Sequence, residues 1–405
     1  MTYPSNRPPD RPTDAAAGIE VTSDFERFAQ RNDIFTRAFW DDRIRSRKTD
    51  AFFASYRMEA TPRRGDGFTQ RDFALRNASW LISDLISDRG SESGEREGFQ
   101  AAIRNDTPVA PMQQAVEDPT RMAEEIKRIA NFFGADLCGI TEMDDRWLYA
   151  SRVDTRDFSE TPNDLPEGMT SVIVMGHQME EDLVATYPSA LAGAATGREY
   201  SHEAAIVMQM AAYIRNLGYE ATASMNDTGL VIPYAVKAGL GEYARNQMVI
   251  TPEFGPRLRF SKIFTNLPLT HDLPQQMGVR AFCDICTKCA DACPVKALPY
   301  GPQRLAARMS QPSRAYENGH PTRRNALASG SSCRRTAPSA CGSAPSTGTS
   351  QNGITGSGSG SPCPRGASWR FGLTASAAGA KSQPIGGRPP RDTGPQSHDF
   401  HHAAP

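Results

Sequence analysis

The chain has 405 residues, and its 45 Lys and Arg nearly balance 46 Asp and Glu, giving a formal charge of −1. That length accommodates two or three domains, and no stretch approaches the ~18 consecutive apolar residues of a membrane-crossing helix. The charge is uneven: residues 301–405 hold one Lys, eleven Arg and three acids, so residues 1–300 are net acidic, which argues against a nucleic-acid partner.

Residues 1–22 are rich in Pro and Asp and are expected to be flexible. The first seven carry neither an apolar signal segment nor a twin-arginine pair. Residues 23–118 read as short helices and loops around aromatic clusters at 35–40 and 51–54, with no motif that carries chemistry.

Regular patterning begins near residue 119. Thr120 is placed to cap a helix whose apolar residues Met122, Ile126, Ile129, Ala130 and Phe133 fall at helical spacing, with Gly134 as its stop. Strands are predicted over 135–140 and 171–175, the second buried on both faces. A helix over about 202–217 follows, then a strand over 219–224 and a helix ending near Gly239. Further strands are predicted over 248–251 and 258–265. Helices alternating with strands indicate an α/β layered domain over 119–275. It contains no G-x-G-x-x-G and no P-loop, so no built-in nucleotide site is expected.

The strand at 257–266 contains an anomaly. Side chains alternate between faces, which puts Lys262 with Leu258, Phe260 and Phe264, and Arg259 on the opposite face. A lysine on an apolar face is costly unless paired. Either Lys262 snorkels or meets a carboxylate, or it is the cationic neighbour of a reacting group in a closed pocket.

Residues 276–300 hold Cys283, Cys286, Cys289 and Cys293, the last followed by Pro294. This C-x2-C-x2-C-x3-C-P run is the bacterial ferredoxin signature of cysteine ligands to [4Fe–4S] clusters. Zinc sites seldom use the triple spacing, and thiols so close together cannot all pair as disulfides. Thiolates kept available to iron imply a reducing compartment, so a cytoplasmic protein is expected.

From 301 to 405 the chain has no valine and is dominated by Ser, Gly, Ala, Pro and Thr. It cannot bury a core and is expected to be disordered. Cys333, Cys341 and Cys363 are scattered there and form no ligand set. Two readings stand: a natural tail, or a reading-frame shift soon after residue 300. Read one base out of frame, residues 336–346 can encode a second C-x2-C-x3-C-P.

Taken together, residues 120–300 resemble the corrinoid-dependent, iron–sulfur reductive dehalogenases, in their soluble catabolic branch. The resembling strings lie at 132–137, 198–201, 214–219, 226–227, 238–246 and 250–257, together with the cysteine run. The resemblance implies a nitroreductase-like fold holding cobalamin, two [4Fe–4S] clusters and a halogenated, aromatic substrate. It also implies an external electron donor, a ferredoxin or a flavoprotein reductase. By motif position Tyr200 would supply the proton that replaces the halide, with Lys262 beside it lowering its pKa. Asn226 and Arg259 match polar pocket positions. The family needs a second cysteine set that is not seen in this sequence, so one cluster would lack its fourth ligand and the chain as written is expected to be poorly active or inactive. The alternatives are an epoxyqueuosine reductase-like enzyme, which also couples cobalamin to such clusters, and a ferredoxin-like electron carrier.

Overall fold

The computed structural model describes residues 11–21, 25–47, 67–86, 107–154, 157–163, 165–187, 189–293, 298, 300–301 and 305–307. In chain order, α1 (Asp14–Ala17) and β1 (Ile19–Val21) are followed by α2 (Ile34–Trp40), α3 (Gln70–Ile86) and α4 (Pro119–Phe133). Then come β2 (Leu137–Glu142), β3 (Arg152–Val153), β4 (Glu160–Thr161), β5 (Ser171–Gln178), α5 (Glu181–Ala185) and α6 (Ala190–Asn216). The remainder is β6 (Ala221–Ser224), α7 (Val231–Lys237), β7 (Glu242–Tyr243), β8 (Val249–Ile250), β9 (Leu258–Thr265), α8 (Val279–Ile285), α9 (Lys288–Ala292) and β10 (Leu305–Ala307).

Four strands form the central sheet in the order β2-β5-β9-β6, antiparallel throughout. The strands expected from the apolar runs are all present. The sheet is sandwiched: Ile173, Met175 and Ile263 join the core under α4 and α6, whereas Val172, Val174, Leu258, Phe260 and Phe264 join the core under α7. Alternation along a strand produces this split. It explains why β5 and β9 read as nearly unbroken apolar runs: they are buried on both faces.

Two helix starts differ from expectation. Asp118, not Thr120, caps α4, accepting the Thr120 and Arg121 N–H groups at 2.8 and 3.2 Å. Pro119 takes the first helical position, where its missing N–H costs nothing. α6 begins at Ala190, well before 202, with Ser189 accepting the Ala192 N–H at 3.1 Å. Its first half is Ala- and Gly-rich and buried on most sides, so it shows no apolar stripe. Gly197 lets α3 approach closely; a Cβ there would stand 2.3 Å from Cδ1 of Trp80.

The expectation of a flexible start is corrected for residues 11–21. Asp14 and Asp144 grip the Arg146 guanidinium at 2.7 and 2.6 Å, and Lys237 reaches Glu142, Asp144 and Asp14 at 3.0, 3.1 and 3.4 Å. Asp14, Asp144, Arg146 and Lys237 are all buried. Burial alone would raise the two aspartates, but the Arg146 hydrogen bonds and the Lys237 charge outweigh it and hold both below the ordinary carboxylate range. Buried charge is thus compensated within the network. Beyond α1, β1 pairs in parallel with β10, Ile19 opposite Leu305. Residues 305–307 are therefore a strand, where disorder was expected. Cys333, Cys341, Cys363 and the rest of the tail lie outside the described residues. No described helix is long and apolar enough to cross a membrane.

Candidate active site

β6 ends at Ser224, directly opposite Lys262 of β9, so the chain leaving β6 turns over the lysine. The Lys262 ammonium is fully buried and donates to the carbonyls of Met225 and Asp227 at 2.6 and 3.0 Å. Those carbonyls flank Asn226. Asp227 tightens the same turn: its carboxylate accepts the Met225 N–H and the Thr228 hydroxyl, each at 2.8 Å. Ser224 adds a hydroxyl bond to the Asp227 carbonyl at 2.9 Å. A third strap holds Asn226 itself, whose carbonyl accepts the Tyr149 hydroxyl at 2.9 Å.

So held, the Asn226 amide donates to the Tyr200 hydroxyl at 3.0 Å. Tyr200 projects from the middle of α6, and the Trp80 indole of α3 stacks on its ring at 5.2 Å. The Arg259 guanidinium of β9 lies 5.1 Å from the ring centre. Four elements therefore converge on one phenol. Its pKa is raised: burial dominates, and the Arg259 charge and the Asn226 hydrogen bond only partly offset it. Tyr200 is consequently a protonated acid at neutral pH.

Here one expectation is corrected. Lys262 spends its donors on the loop, so the cation over the tyrosine is Arg259, and the phenol is not lowered. Burial pushes Lys262 down to about 8, with Asp227 and Glu203 opposing. The face assignment of β9 agrees with the structure: Arg259 and Lys262 point to opposite sides. Lys262 acts on Asn226, and Asn226 on Tyr200.

Cys283 lies on α8, Cys286 between α8 and α9, Cys289 on α9 and Cys293 directly after it. Cys283 is buried, and its sulfur accepts the Arg245 N–H at 3.4 Å. The Arg245 guanidinium gathers the chain around it, donating to the carbonyls of Cys283, Cys286 (2.9 Å) and Gly301 (2.6 Å). Arg245 itself is buried. Burial, with Cys283 and Cys286 adding, holds the Cys289 thiol above its ordinary value.

No family model matches the chain. The tetrachloroethene reductive dehalogenase of Dehalobacter restrictus is 36% identical over 222 residues, 46% of this chain and 40% of that protein. That of Sulfurospirillum multivorans is 35% identical over 216 residues, 47% and 43%. The matched part of the chain is similar to reductive dehalogenases. The chain spans about 40% of the length of these relatives. A solved catabolic reductive dehalogenase overlays with a TM-score of 0.53 at 24% identity, over 68% of this chain and 36% of that one, so the fold is shared. Epoxyqueuosine reductase of Bacillus subtilis matches a shorter stretch, 43% identical over 79 residues, 19% of each protein.

Do the residues fit the cofactors of dehalogenases? Among the described residues no three His, Cys, Asp or Glu side chains close around one metal ion. For an iron–sulfur cubane the fitting features are the four thiols of the C-x2-C-x2-C-x3-C run and a backbone N–H aimed at the Cys283 sulfur. For a corrinoid the fitting feature is the phenol end: a protonated acid, polarised by Asn226 and Arg259 and shielded from water.

Several residues of the site carried no signal in the sequence. Glu199 and Glu203 flank Tyr200 on α6, and both are buried. They escaped notice because the helix was expected to begin after Tyr200. Trp80 and Arg245 act across long sequence separations. His177 of β5 is buried, bonds the Ser261 hydroxyl at 2.8 Å and is pushed by burial down to about 3, so it stays neutral.

Proposed function

We propose that this chain carries the catalytic part of a reductive dehalogenase, in which Tyr200 gives the proton that replaces a departing halide. The observation that carries the reading is the Tyr200 phenol, kept protonated by burial and held by the Asn226 amide on a loop that Lys262 clamps. A phenol is a weak acid near pH 7, so it keeps its proton until a strongly basic carbon forms beside it. Arg259, over the ring, then stabilises the phenolate left behind. Trp80 and the surrounding core exclude water, which would otherwise compete as proton source.

Cys283, Cys286, Cys289 and Cys293 are proposed to hold iron–sulfur cluster ligation, positioned by Arg245. When bound, a corrinoid in this nitroreductase-like fold would supply the reduced cobalt that takes the halogen, and clusters the single electrons that restore it. The donor of those electrons is a separate ferredoxin or flavoprotein reductase. A halogenated aromatic is the proposed substrate class: a solved relative was studied in complex with 3-bromo-4-hydroxybenzoic acid.

The test is anaerobic reconstitution with hydroxocobalamin, iron and sulfide, then measurement of cobalt, iron and halide release from 3-bromo-4-hydroxybenzoate and tetrachloroethene. We expect halide release that Tyr200→Phe abolishes, and cluster iron that Arg245→Met strongly reduces. Iron without cobalt would instead favour an electron carrier, and activity only on an epoxyqueuosine-containing RNA would favour the other cobalamin-dependent reading.

A further inference from the structure

Two carboxyl groups beside Tyr200 have no part in the reaction as proposed. Glu203 lies one turn further along α6, and Glu199 is four residues before Glu203, on the same side of the helix. Glu203 is 0% exposed, and neither of its carboxylate oxygens has a hydrogen-bond partner. An isolated carboxylate there would be very costly, so the group takes its neutral, proton-bearing form. The groups facing it are Arg259 and Lys262 from β9, Asp227 from the β6–α7 loop and Glu199 from its own helix. Burial outweighs both cations and holds Glu203 well above the ordinary carboxyl value.

Glu199 connects this interior to the surface. It is 2% exposed, yet its carboxylate meets the exposed Arg198 at 3.1 Å and the exposed His202 at 4.0 Å. Burial pushes it up to about 7, with Asp136 and Glu180 adding and Arg198 and Arg259 opposing. A group of that strength exchanges protons with neutral water in both directions. Arg259, over the Tyr200 ring, has a buried Nε without an acceptor, and its charge acts on both carboxyls and on the phenol.

We infer that Glu203 and Glu199 form the proton supply of Tyr200, Glu203 storing a proton beside the phenol and Glu199 passing one in from solvent. The inference rests on the proposed reaction, since only a tyrosine that gives its proton away needs refilling. When the Tyr200 O–H bond breaks toward the substrate carbon, the Glu203 carboxyl, which no hydrogen bond pins in place, swings onto the phenolate and gives up its proton. The new Glu203 carboxylate swings back toward Arg259 and Glu199 and takes the Glu199 proton, and Glu199 recovers one from water. One proton enters from solvent for each one delivered, and no residue changes oxidation state. Proton affinity rises from Glu199 to Tyr200, so refilling the phenolate runs downhill. Asp33, which acts on Tyr200 from the α2 side, makes the phenolate still less stable and refilling more complete.

The decisive experiment is infrared difference spectroscopy of the full chain, wild type against Glu203→Gln, joined to steady-state assays of the reconstituted protein. We expect a protonated-carboxyl carbonyl band in the wild type near neutral pH that Glu203→Gln removes and Glu203→Asp retains. A second such band should titrate near pH 7 and vanish in Glu199→Gln. In dehalogenation, Glu203→Gln should lower kcat on the order of 10²-fold, the low end of acid–base contributions, with KM little changed. Glu203→Asp should recover part of the loss. An unchanged carbonyl region in folded Glu203→Gln, or unchanged kcat, overturns the inference while leaving the proposed reaction standing. If the wild type shows both bands but releases no halide, the proposed reaction fails and the buried proton store remains.

Discussion

Replacing Lys262 by Met keeps the buried stem and removes only the ammonium. In the native chain that ammonium is 0% exposed, and burial lowers its pKa from 10.5 to about 8. A depressed folded pKa means that the lysine's contribution to stability is fully present above the unfolded value and is lost as pH falls through the folded one. Between pH 8 and 10.5 the unfolded chain holds the lysine proton and the folded chain has released it, so stability rises with pH. Each tenfold in proton affinity is worth about 1.4 kcal/mol, and the window therefore amounts to about 3 kcal/mol. The matching assay is urea unfolding of wild type and Lys262→Met at pH 7.5 and pH 10, taking the difference between the two proteins at each pH. Between these two pH values, which do not span the whole window, that difference should move toward the wild type by about 2 kcal/mol, or roughly 0.7 M in midpoint at an m-value near 3 kcal/mol/M. Other titrating groups cancel because both proteins carry them. Parallel curves would refute a desolvated, loop-clamping lysine and return Lys262 to a screened position. At neutral pH the variant relieves the buried charge but leaves the Met225 carbonyl without its ammonium donor, a loss of about 1–3 kcal/mol. Net stability then changes little, whereas the Asn226–Tyr200 hydrogen bond loosens and proton delivery slows.

Lys237→Met should cost about 3–5 kcal/mol in urea unfolding, because it leaves Asp14, Glu142 and Asp144 short of a buried cation; a loss under about 1 kcal/mol would mean that Arg146 alone suffices. The same variant should speed proteolytic cleavage near residues 11–21. Gly197→Ala should cost about 1–3 kcal/mol through overpacking and should push the Trp80 indole off Tyr200, since its Cβ would fall 2.3 Å from Cδ1. Near-UV circular dichroism, with Trp80→Phe as the reference for loss of that stack, reads the displacement; an unchanged spectrum would show that α3 and α6 separate without moving the ring.

β9 was legible in the sequence to the residue because alternation is a local code: each side chain's face follows from its parity, and Lys262 stood out by breaking the apolar pattern. The same parity put Arg259 on the other side, although only the fold shows that this side is the one facing Tyr200. α6 was half legible for the opposite reason. Its first half packs against α3 and the sheet at once, so burial surrounds the helix, Ala and Gly replace the apolar stripe, and periodicity carries no information there. Glu199, Tyr200 and Glu203 therefore could not be recognised as neighbours on one helix before the helix itself was seen. Arg245 was illegible on different grounds, since its partners are backbone carbonyls, and carbonyls have no residue identity to read. A polar residue that breaks a pattern can be found by spacing alone. One that fits a pattern, as Glu203 fits its helix, reveals itself only when its carboxyl is found buried with nothing to bond.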